Sequence, residues 1–338
     1  MNNKYLIAYV TDRNLVKVTP DDAKRLTHIN LAFGKVFPDG NMDDHEMEHM
    51  DHLKMIRAWN PDMKILLSVG GWGAGNFSTM ALTEERRERF ACSCKKFVDQ
   101  YDLDGIDIDW EYPCSDSAGI DADPADKQNF TALMQKLRDV LGTEKLLSIA
   151  AGAGAYFVRD TEMDKVSQIC DYIQLMTYDM RSGFDHEAGH HTALYAAEGD
   201  NSGKNTEDVV EMFHKAGVPY EKTVIGAAFY SRKWDGVPNV NNGMLQQAES
   251  IGQGGPRYSD IIFNYLNQKE WKHIWDEKAK ASYLFNGSSL ISYDDPESLK
   301  EKCRYLLDKG LLGIMYWEHG CDDTHTLLKT LADSLGKE

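Results

Sequence analysis

Short apolar segments alternate with longer amphipathic segments along most of the chain. The short segments are typical of strands buried on both faces of a parallel sheet. Eight are predicted, at residues 5–10, 28–33, 64–69, 105–110, 146–151, 172–176, 223–228 and 313–317. Alternating strand and helix signals favour crossover connections. Eight such units predict an α/β fold, a (β/α)8 TIM barrel, whose functional site lies at the C-terminal ends of the strands.

Two segments between these strands carry apolar residues at helical spacing. One predicted helix has an apolar face made by Phe90, Cys94, Phe97, Val98 and Tyr101, and the other by Phe130, Leu133, Met134, Leu137 and Leu141. Later in the chain, Asp295 before Pro296 predicts an N-cap, and Gly310 predicts the end of that helix.

The connection between the seventh and eighth strands is too long for a simple crossover. It contains a predicted helix at 260–280 and a predicted hairpin turn at Asn286 and Gly287, because Asn-Gly is a favoured two-residue turn. We therefore predict a small α+β insertion at 235–289. The catalytic barrel then comprises residues 1–234 and 290–338.

Three carboxylates lie in an alternating pattern within the fourth predicted strand and just after it. Asp107, Asp109 and Glu111 lie two residues apart, so their side chains share one face of a strand. The alternate positions are Ile106, Ile108 and Trp110. Enclosed neighbouring acids drive their pKa values apart, which produces a proton donor and a charged partner at neutral pH. The alternatives are a calcium site, which favours a flexible loop, or a solvated edge strand.

Composition restricts the classes of partner. The chain has 338 residues, of which 42% are hydrophobic and 27% charged, and its net charge of −17 disfavours nucleic acid and anionic membranes. It has no run of 18 apolar residues and no visible secretion signal, so we expect a cytoplasmic protein, or a secreted one if a leader was removed. The six scattered cysteines predict free thiols in a reducing compartment.

The segment DGIDIDWEYP, residues 104–113, resembles the acidic signature of chitinases of glycoside hydrolase family 18. All four acids of that signature are present, the first being Asp104. Further segments are similar to family motifs in the same order: SVGGW at 68–72, MTYD at 176–179, FYSRKW at 229–234, SYDDPES at 292–298 and GIMYWE at 313–318. Ser231 stands where many members have glycine. The resemblance spans nearly the whole chain.

This resemblance implies retaining, substrate-assisted hydrolysis of β-1,4-N-acetylglucosamine linkages in chitin or chito-oligosaccharides. Glu111 is then the general acid, and the substrate's acetamido oxygen is the nucleophile. Asp109 orients the acetamido N–H, Asp107 shares a proton or hydrogen bond with Asp109, and Tyr178 holds the acetamido oxygen. No metal or organic cofactor is implied, and we expect a monomer.

The resemblance also implies a sugar-binding set at the strand ends. Aromatic rings bind the apolar faces of sugars, and Trp317 resembles the floor of the cleavage subsite, although any barrel aromatic can instead be plain core. The predicted substrate-binding residues are Tyr9, Phe33, Ser68, Trp72, Met176, Asp179, Tyr230, Arg232 and Trp317.

Three alternatives remain open from the sequence. A chitinase-like lectin binds sugar without cutting it, but such proteins typically lose one of the acids. An endo-β-N-acetylglucosaminidase acting on N-glycans shares the acidic motif. The segment HEAGH, residues 186–190, fits a zinc protease pattern with His186 and His190 as ligands and Glu187 as base, although that chemistry needs a helix.

Overall fold

The structure is a computed structural model that describes residues 4–45 and 47–337. Within these residues the strands are β1 Tyr5–Thr11, β2 His28–Val36, β3 Met42–Asp43, β4 Lys64–Gly70, β5 Gly105–Asp109, β6 Leu146–Gly152, β7 Tyr172–Met176, β8 Thr223–Ala228, β9 Tyr230–Asp235, β10 Gln253–Arg257, β11 Lys272–Asp276, β12 Ala281–Phe285, β13 Ser289–Tyr293 and β14 Gly313–Trp317.

Eight of these strands close into a parallel barrel. The strand order is β1-β14-β8-β7-β6-β5-β4-β2, and β1 also pairs with β2, which leaves no open edge. The short β3 pairs antiparallel with β2 and extends it as a hairpin. All eight predicted strands are present in the predicted order, so the (β/α)8 barrel is confirmed.

The described helices pack mainly outside the barrel. They are α1 Pro20–Arg25, α2 His52–Trp59, α3 Phe77–Ala81, α4 Glu84–Gln100, α5 Asp126–Leu141, α6 Ala155–Arg159, α7 Met163–Ile169, α8 Thr206–Lys215, α9 Tyr258–Asn264, α10 Pro296–Lys309 and α11 Thr326–Ser334. None of the helices in this part of the chain is long and apolar enough to cross a membrane.

The two predicted apolar helix faces are confirmed on α4 and α5. Cys94 on α4 is fully buried, as is Leu133 on α5. At the start of α10, the Asp295 carboxylate accepts hydrogen bonds from the backbone N–H groups of Glu297 and Ser298, at 3.1 and 2.9 Å. Gly310 ends this helix in the left-handed conformation that favours glycine, at φ 74°.

A second, antiparallel sheet lies beside the barrel. Its order is β10-β9-β13-β12-β11, and it extends from Tyr230 to Tyr293. The hairpin predicted at Asn286 and Gly287 joins β12 to β13. The predicted helix at 260–280 is wrong beyond α9, because the residues of β11 pair with β12 and this pairing outweighs local helix propensity.

The barrel interior contains a polar layer that the apolar strand pattern conceals. Five interior side chains are fully buried and polar: Asn30, Ser68, Asp107, Ser148 and Gln174. Because an unpaired buried polar group is costly, these residues are expected to hydrogen-bond one another. Their network leads directly to the C-terminal ends of the strands.

Candidate active site

The three acids lie at the C-terminal end of β5. Ile106 and Ile108 pack in the apolar layer between sheet and helices, so Asp107 and Asp109 face the barrel interior. Glu111 follows two residues beyond Asp109. On the neighbouring strand, a Cβ at Gly70 would lie 1.9 Å from the Asp109 carbonyl oxygen, so only glycine fits beside the acids.

Asp104, the first acid of the motif, lies at the opposite end of β5. Its carboxylate pairs with Arg57 at 2.9 Å and Lys64 at 3.3 Å, and it accepts the backbone N–H of Ile65 at 2.9 Å. The strand rises by about 3.3 Å per residue, so Asp104 is remote from Asp109. We conclude that this acid anchors the start of the strand.

Asp107 lies at the centre of the buried polar layer and accepts four hydrogen bonds. Ser148 and Gln174 donate to Oδ1 at 2.8 and 2.9 Å. Tyr9 and Ser68 donate to Oδ2 at 2.8 and 2.7 Å. Tyr9 and Ser68 were predicted to bind substrate, but they are buried, and their hydroxyls serve the acid. Burial raises the pKa of Asp107, and the hydrogen bonds partly oppose this effect.

The other two acids are poised to hold a proton. Burial raises the pKa of Glu111 to about 7; Asp179 adds to this rise, whereas the Tyr112 hydroxyl and Lys35 oppose it. Burial also raises the pKa of Asp109 well above its ordinary value, as do the charges of Glu111 and Asp107. Glu111 is therefore suited to general acid and base chemistry near neutral pH.

Tyr178 and Asp179 lie just beyond the end of β7 and interact with the acids. The Tyr178 hydroxyl donates only to Met315 Sδ, at 3.7 Å, among the described residues. Burial and nearby carboxylates raise the pKa of Tyr178 well above its usual value, so it stays a neutral donor. Asp179 is held bidentately by Arg232, with both N···O distances 2.6 Å.

Burial would raise the pKa of Asp179, but two neighbours reverse the effect. Hydrogen bonds from Arg232 and His191, together with their charges, lower the pKa of this carboxyl below its ordinary value. The buried His191 lies 3.4 Å from Asp179 Oδ1. Asp179 is therefore a fixed anion in the site, and its charge helps Glu111 to retain a proton.

Aromatic side chains form the floor of the site. Trp317 ends β14 and stacks on Phe33 with a centroid distance of 5.3 Å and an interplanar angle of 19°. Tyr230 meets Tyr178 edge to face at 6.0 Å. Met176 belongs to the same buried cluster. The structure thus brings together the residues predicted from separate strand ends.

Trp72 lies apart from this floor, on the exposed rim. Its side chain is 53% exposed, and it meets Tyr112 and Phe184 with centroid distances of 6.1 and 6.2 Å. Phe184 is 71% exposed and was not predicted from the sequence. These rings form an apolar surface beside Glu111 that is open to a ligand.

Five further site residues were missed: Ser148, Gln174, Lys35, Tyr112 and His191. The sequence could have indicated Gln174 and Ser148 as site residues, since each is a polar residue inside an apolar strand segment. Lys35 lies in the β2–β3 hairpin and donates to the Gly70 carbonyl at 2.9 Å. His191 lies in a loop. Neither segment has a periodicity that predicts a site.

The HEAGH segment does not form a zinc site. It is not helical, and Glu187 pairs with the buried Arg181 at 2.6 Å. His190 pairs instead with Asp276, at 3.2 Å. Among residues 4–45 and 47–337, the one group with metal-ligand spacing is Asp43, Asp44 and His45, far along the chain from HEAGH. The zinc protease hypothesis is therefore wrong.

Comparisons with known proteins identify the family of the chain. The sequence model of glycosyl hydrolases family 18 matches residues 5–322. Chitinase A1 of Niallia circulans is 37% identical over 328 residues, which cover 89% of this chain and 47% of that protein. Chitotriosidase-1 of Mus musculus is 32% identical, covering 89% of this chain and 68% of that protein. The chain thus spans about half the length of chitinase A1.

Solved structures resemble the whole chain. A family 18 N-acetylglucosaminidase from Paenibacillus barengoltzii has a TM-score of 0.96 and 46% identity, covering 98% of this chain and 99% of that one. Chitinase ChiW from a Paenibacillus strain, a multi-modular cell-surface enzyme, has a TM-score of 0.92 and 36% identity. That match covers 99% of this chain and 43% of the ChiW chain.

Proposed function

The chain belongs to family 18 of the glycosyl hydrolases, and we propose that it hydrolyses β-1,4-N-acetylglucosamine linkages in chitin or chito-oligosaccharides with retention. The observation that carries this proposal is the arrangement of Asp109 and Glu111 beside the Tyr178 hydroxyl, whose one contact among the described residues is the weak acceptor Met315 Sδ, above an aromatic floor. A lectin needs the floor but has no use for an acid whose pKa is raised to about 7.

In the proposed mechanism, Glu111 donates its proton to the glycosidic oxygen as the C–O bond breaks. The substrate's acetamido oxygen attacks the anomeric carbon from the opposite side and forms a cyclic oxazolinium ion. Asp109 accepts the acetamido N–H and stabilises the positive charge, while Tyr178 donates to the acetamido oxygen. Glu111 then takes a proton from water, which opens the ring with retention.

The site of cleavage along the substrate is a second question, and one observation favours exo action. The Paenibacillus barengoltzii structure described as an N-acetylglucosaminidase is 46% identical, and the match covers this chain and that one almost end to end. Release of single N-acetylglucosamine units is therefore a candidate mode beside internal cleavage.

The substrate and cleavage mode can be tested together. The protein is incubated with chito-oligosaccharides and, separately, with a high-mannose glycopeptide. Early accumulation of N-acetylglucosamine from the oligosaccharides indicates exo action, and mixed oligomers indicate endo action. Cleavage of the glycopeptide alone would reject chitin-type substrates in favour of an N-glycan endo-β-N-acetylglucosaminidase.

A partly deacetylated chitosan should be cut only where an N-acetylated sugar occupies the subsite on the non-reducing side of the broken bond. The reason is that the acetyl group is the nucleophile, so a glucosamine in this position cannot react. Sequencing the products should find acetylated sugars at all new reducing ends. A substantial share of glucosamine there would exclude the substrate-assisted route and indicate a protein nucleophile.

Tyr178→Phe should lower kcat by roughly 10²-fold with little change in KM, because its hydrogen bond strengthens as the ring forms. Trp317→Ala should instead raise KM by about tenfold, because it removes the stacking floor. Steady-state kinetics on a chito-oligosaccharide separate the two effects. Tyr305→Phe is the matched control, since it removes another buried tyrosine hydroxyl, on α10, which lacks a hydrogen-bond partner among the described residues. Equal effects on KM alone would contradict these roles.

A further inference from the structure

The hydrogen bonds of Asp107 use its full capacity as an acceptor. A carboxylate offers about four lone-pair sites, and four donors occupy them: Tyr9, Ser68, Ser148 and Gln174. Asp109 is not among these partners. A proton can therefore bind Asp107 only if one of the donors turns away.

Three of the donors are hydroxyls, which can rotate, but the fourth is an amide of fixed orientation. Asn30 Nδ2 donates to Gln174 Oε1 at 3.0 Å, and this directs Gln174 Nε2 to Asp107 Oδ1 at 2.9 Å. The opposite orientation would place the Gln174 carbonyl oxygen against the Asp107 carboxylate. Gln174 thus favours an ionised Asp107 more strictly than the hydroxyls do.

We propose that Gln174, held by Asn30, is a positioning residue that keeps Asp107 ionised, so that the proton needed for hydrolysis stays on the Asp109–Glu111 pair. Asp109 Oδ1 has no hydrogen-bond partner among the described residues, so this oxygen lacks donors of the kind that stabilise the Asp107 anion. This inference rests on the proposed glycoside hydrolysis, and it assigns the source of the protonation state that hydrolysis requires.

The other groups around Asp107 agree with this assignment. The ionisable side chains that interact with it are Asp109 on its own strand, Tyr9 on β1, Tyr172 on β7, and Tyr178 and Cys170 beside β7. Burial raises the pKa of each, so the four groups other than Asp109 are neutral at neutral pH. Lys35 is the cation that lowers the pKa of Asp109 and Glu111. Neutral donors therefore stabilise the Asp107 anion.

Gln174→Leu should move the acidic limb of the kcat/KM–pH profile upward by about one to two pH units, the value of one hydrogen bond to a charged group. The sign follows because losing a donor raises the pKa of Asp107. A second proton then enters the acid cluster at a higher pH and abolishes the active state. Asn30→Ala should move the limb in the same direction by less, because it only frees the Gln174 amide to rotate.

Thr223→Val is the control, because it removes a buried barrel hydroxyl that donates to Pro219 rather than to Asp107. Its acidic limb should match that of the wild type. The proposal fails if Gln174→Leu and Asn30→Ala lower kcat equally at every pH while the limb stays in place. If Gln174→Leu does not fold, Asn30→Ala alone decides between these outcomes.

A measurement independent of activity separates this inference from the proposed function. Infrared difference spectra of protonated carboxyl groups, recorded during a pH titration, should show one carboxyl binding its proton at higher pH in Gln174→Leu than in the wild type. Unchanged spectra would overturn the role of Gln174. If the spectra shift as expected but the wild-type protein cleaves no N-acetylglucosaminide, the proposed function is overturned instead.

Discussion

Glu111→Gln should lower kcat on chito-oligosaccharides by at least about 10²–10⁴-fold, the usual contribution of a general acid. The amide keeps the shape of the side chain but cannot release a proton. Oligosaccharide binding should survive, because the aromatic floor and Asp179 are untouched. Turnover measured with an oligosaccharide substrate, together with binding by calorimetry, tests both parts.

Glu187→Gln is the matched control for this change. The substitution removes the same charge, but Glu187 belongs to the HEAGH segment and pairs with Arg181, away from the acids. Its variant should retain wild-type kcat. Wild-type turnover in Glu111→Gln would show that Glu111 is not the acid, and a large loss in Glu187→Gln would return the HEAGH segment to the chemistry.

Lys302→Ala should destabilise the fold by about 3–5 kcal/mol, the usual cost of removing one partner of a buried ion pair. Lys302 Nζ lies 2.7 Å from Asp294 Oδ2 and 2.7 Å from the Thr192 hydroxyl, and both charged side chains are at most 1% exposed. Without Lys302, the Asp294 charge stays buried and uncompensated. Urea unfolding followed by circular dichroism measures the loss.

Lys300→Ala provides a control on the same helix. Lys300 pairs with Glu297 at 3.5 Å, but the two side chains are 54% and 58% exposed. Exposed pairs contribute about 0–1 kcal/mol, so this variant should unfold at nearly the wild-type urea concentration. A similar small loss in Lys302→Ala would show that the buried pair is not stabilising in the folded state.

The Lys302–Asp294 pair also contacts a barrel strand that leads into the site. Asp294 Oδ2 accepts the backbone N–H of Ala228 at 2.9 Å, at the end of β8. It also accepts the Thr192 hydroxyl at 3.1 Å. Ala228 precedes the strand that carries Tyr230. Partial unfolding near this pair would therefore disturb the aromatic floor as well as stability.

The sequence by itself determined the barrel and the identity of its acids. Each barrel strand is buried on both faces, so apolar runs mark its position without knowledge of its neighbours. Because Asp107 and Asp109 lie two residues apart, the pleat of a single strand likewise places both side chains on one face. The long connection after the seventh strand and the Asn-Gly turn were visible for the same reason, since both are local features.

Only the tertiary structure decided what each polar side chain contacts. Asp107 receives its donors from four other strands, so no local pattern could separate Tyr9 and Ser68, which serve the acid, from residues that face substrate. The same limit applies to β11, whose pairing with β12 replaced a predicted helix. Hydrogen bonds across the barrel join Asp107 to residues as far as 98 positions away in the sequence. Such contacts depend on which side chains meet across the interior of the closed barrel, and local sequence patterns do not encode that.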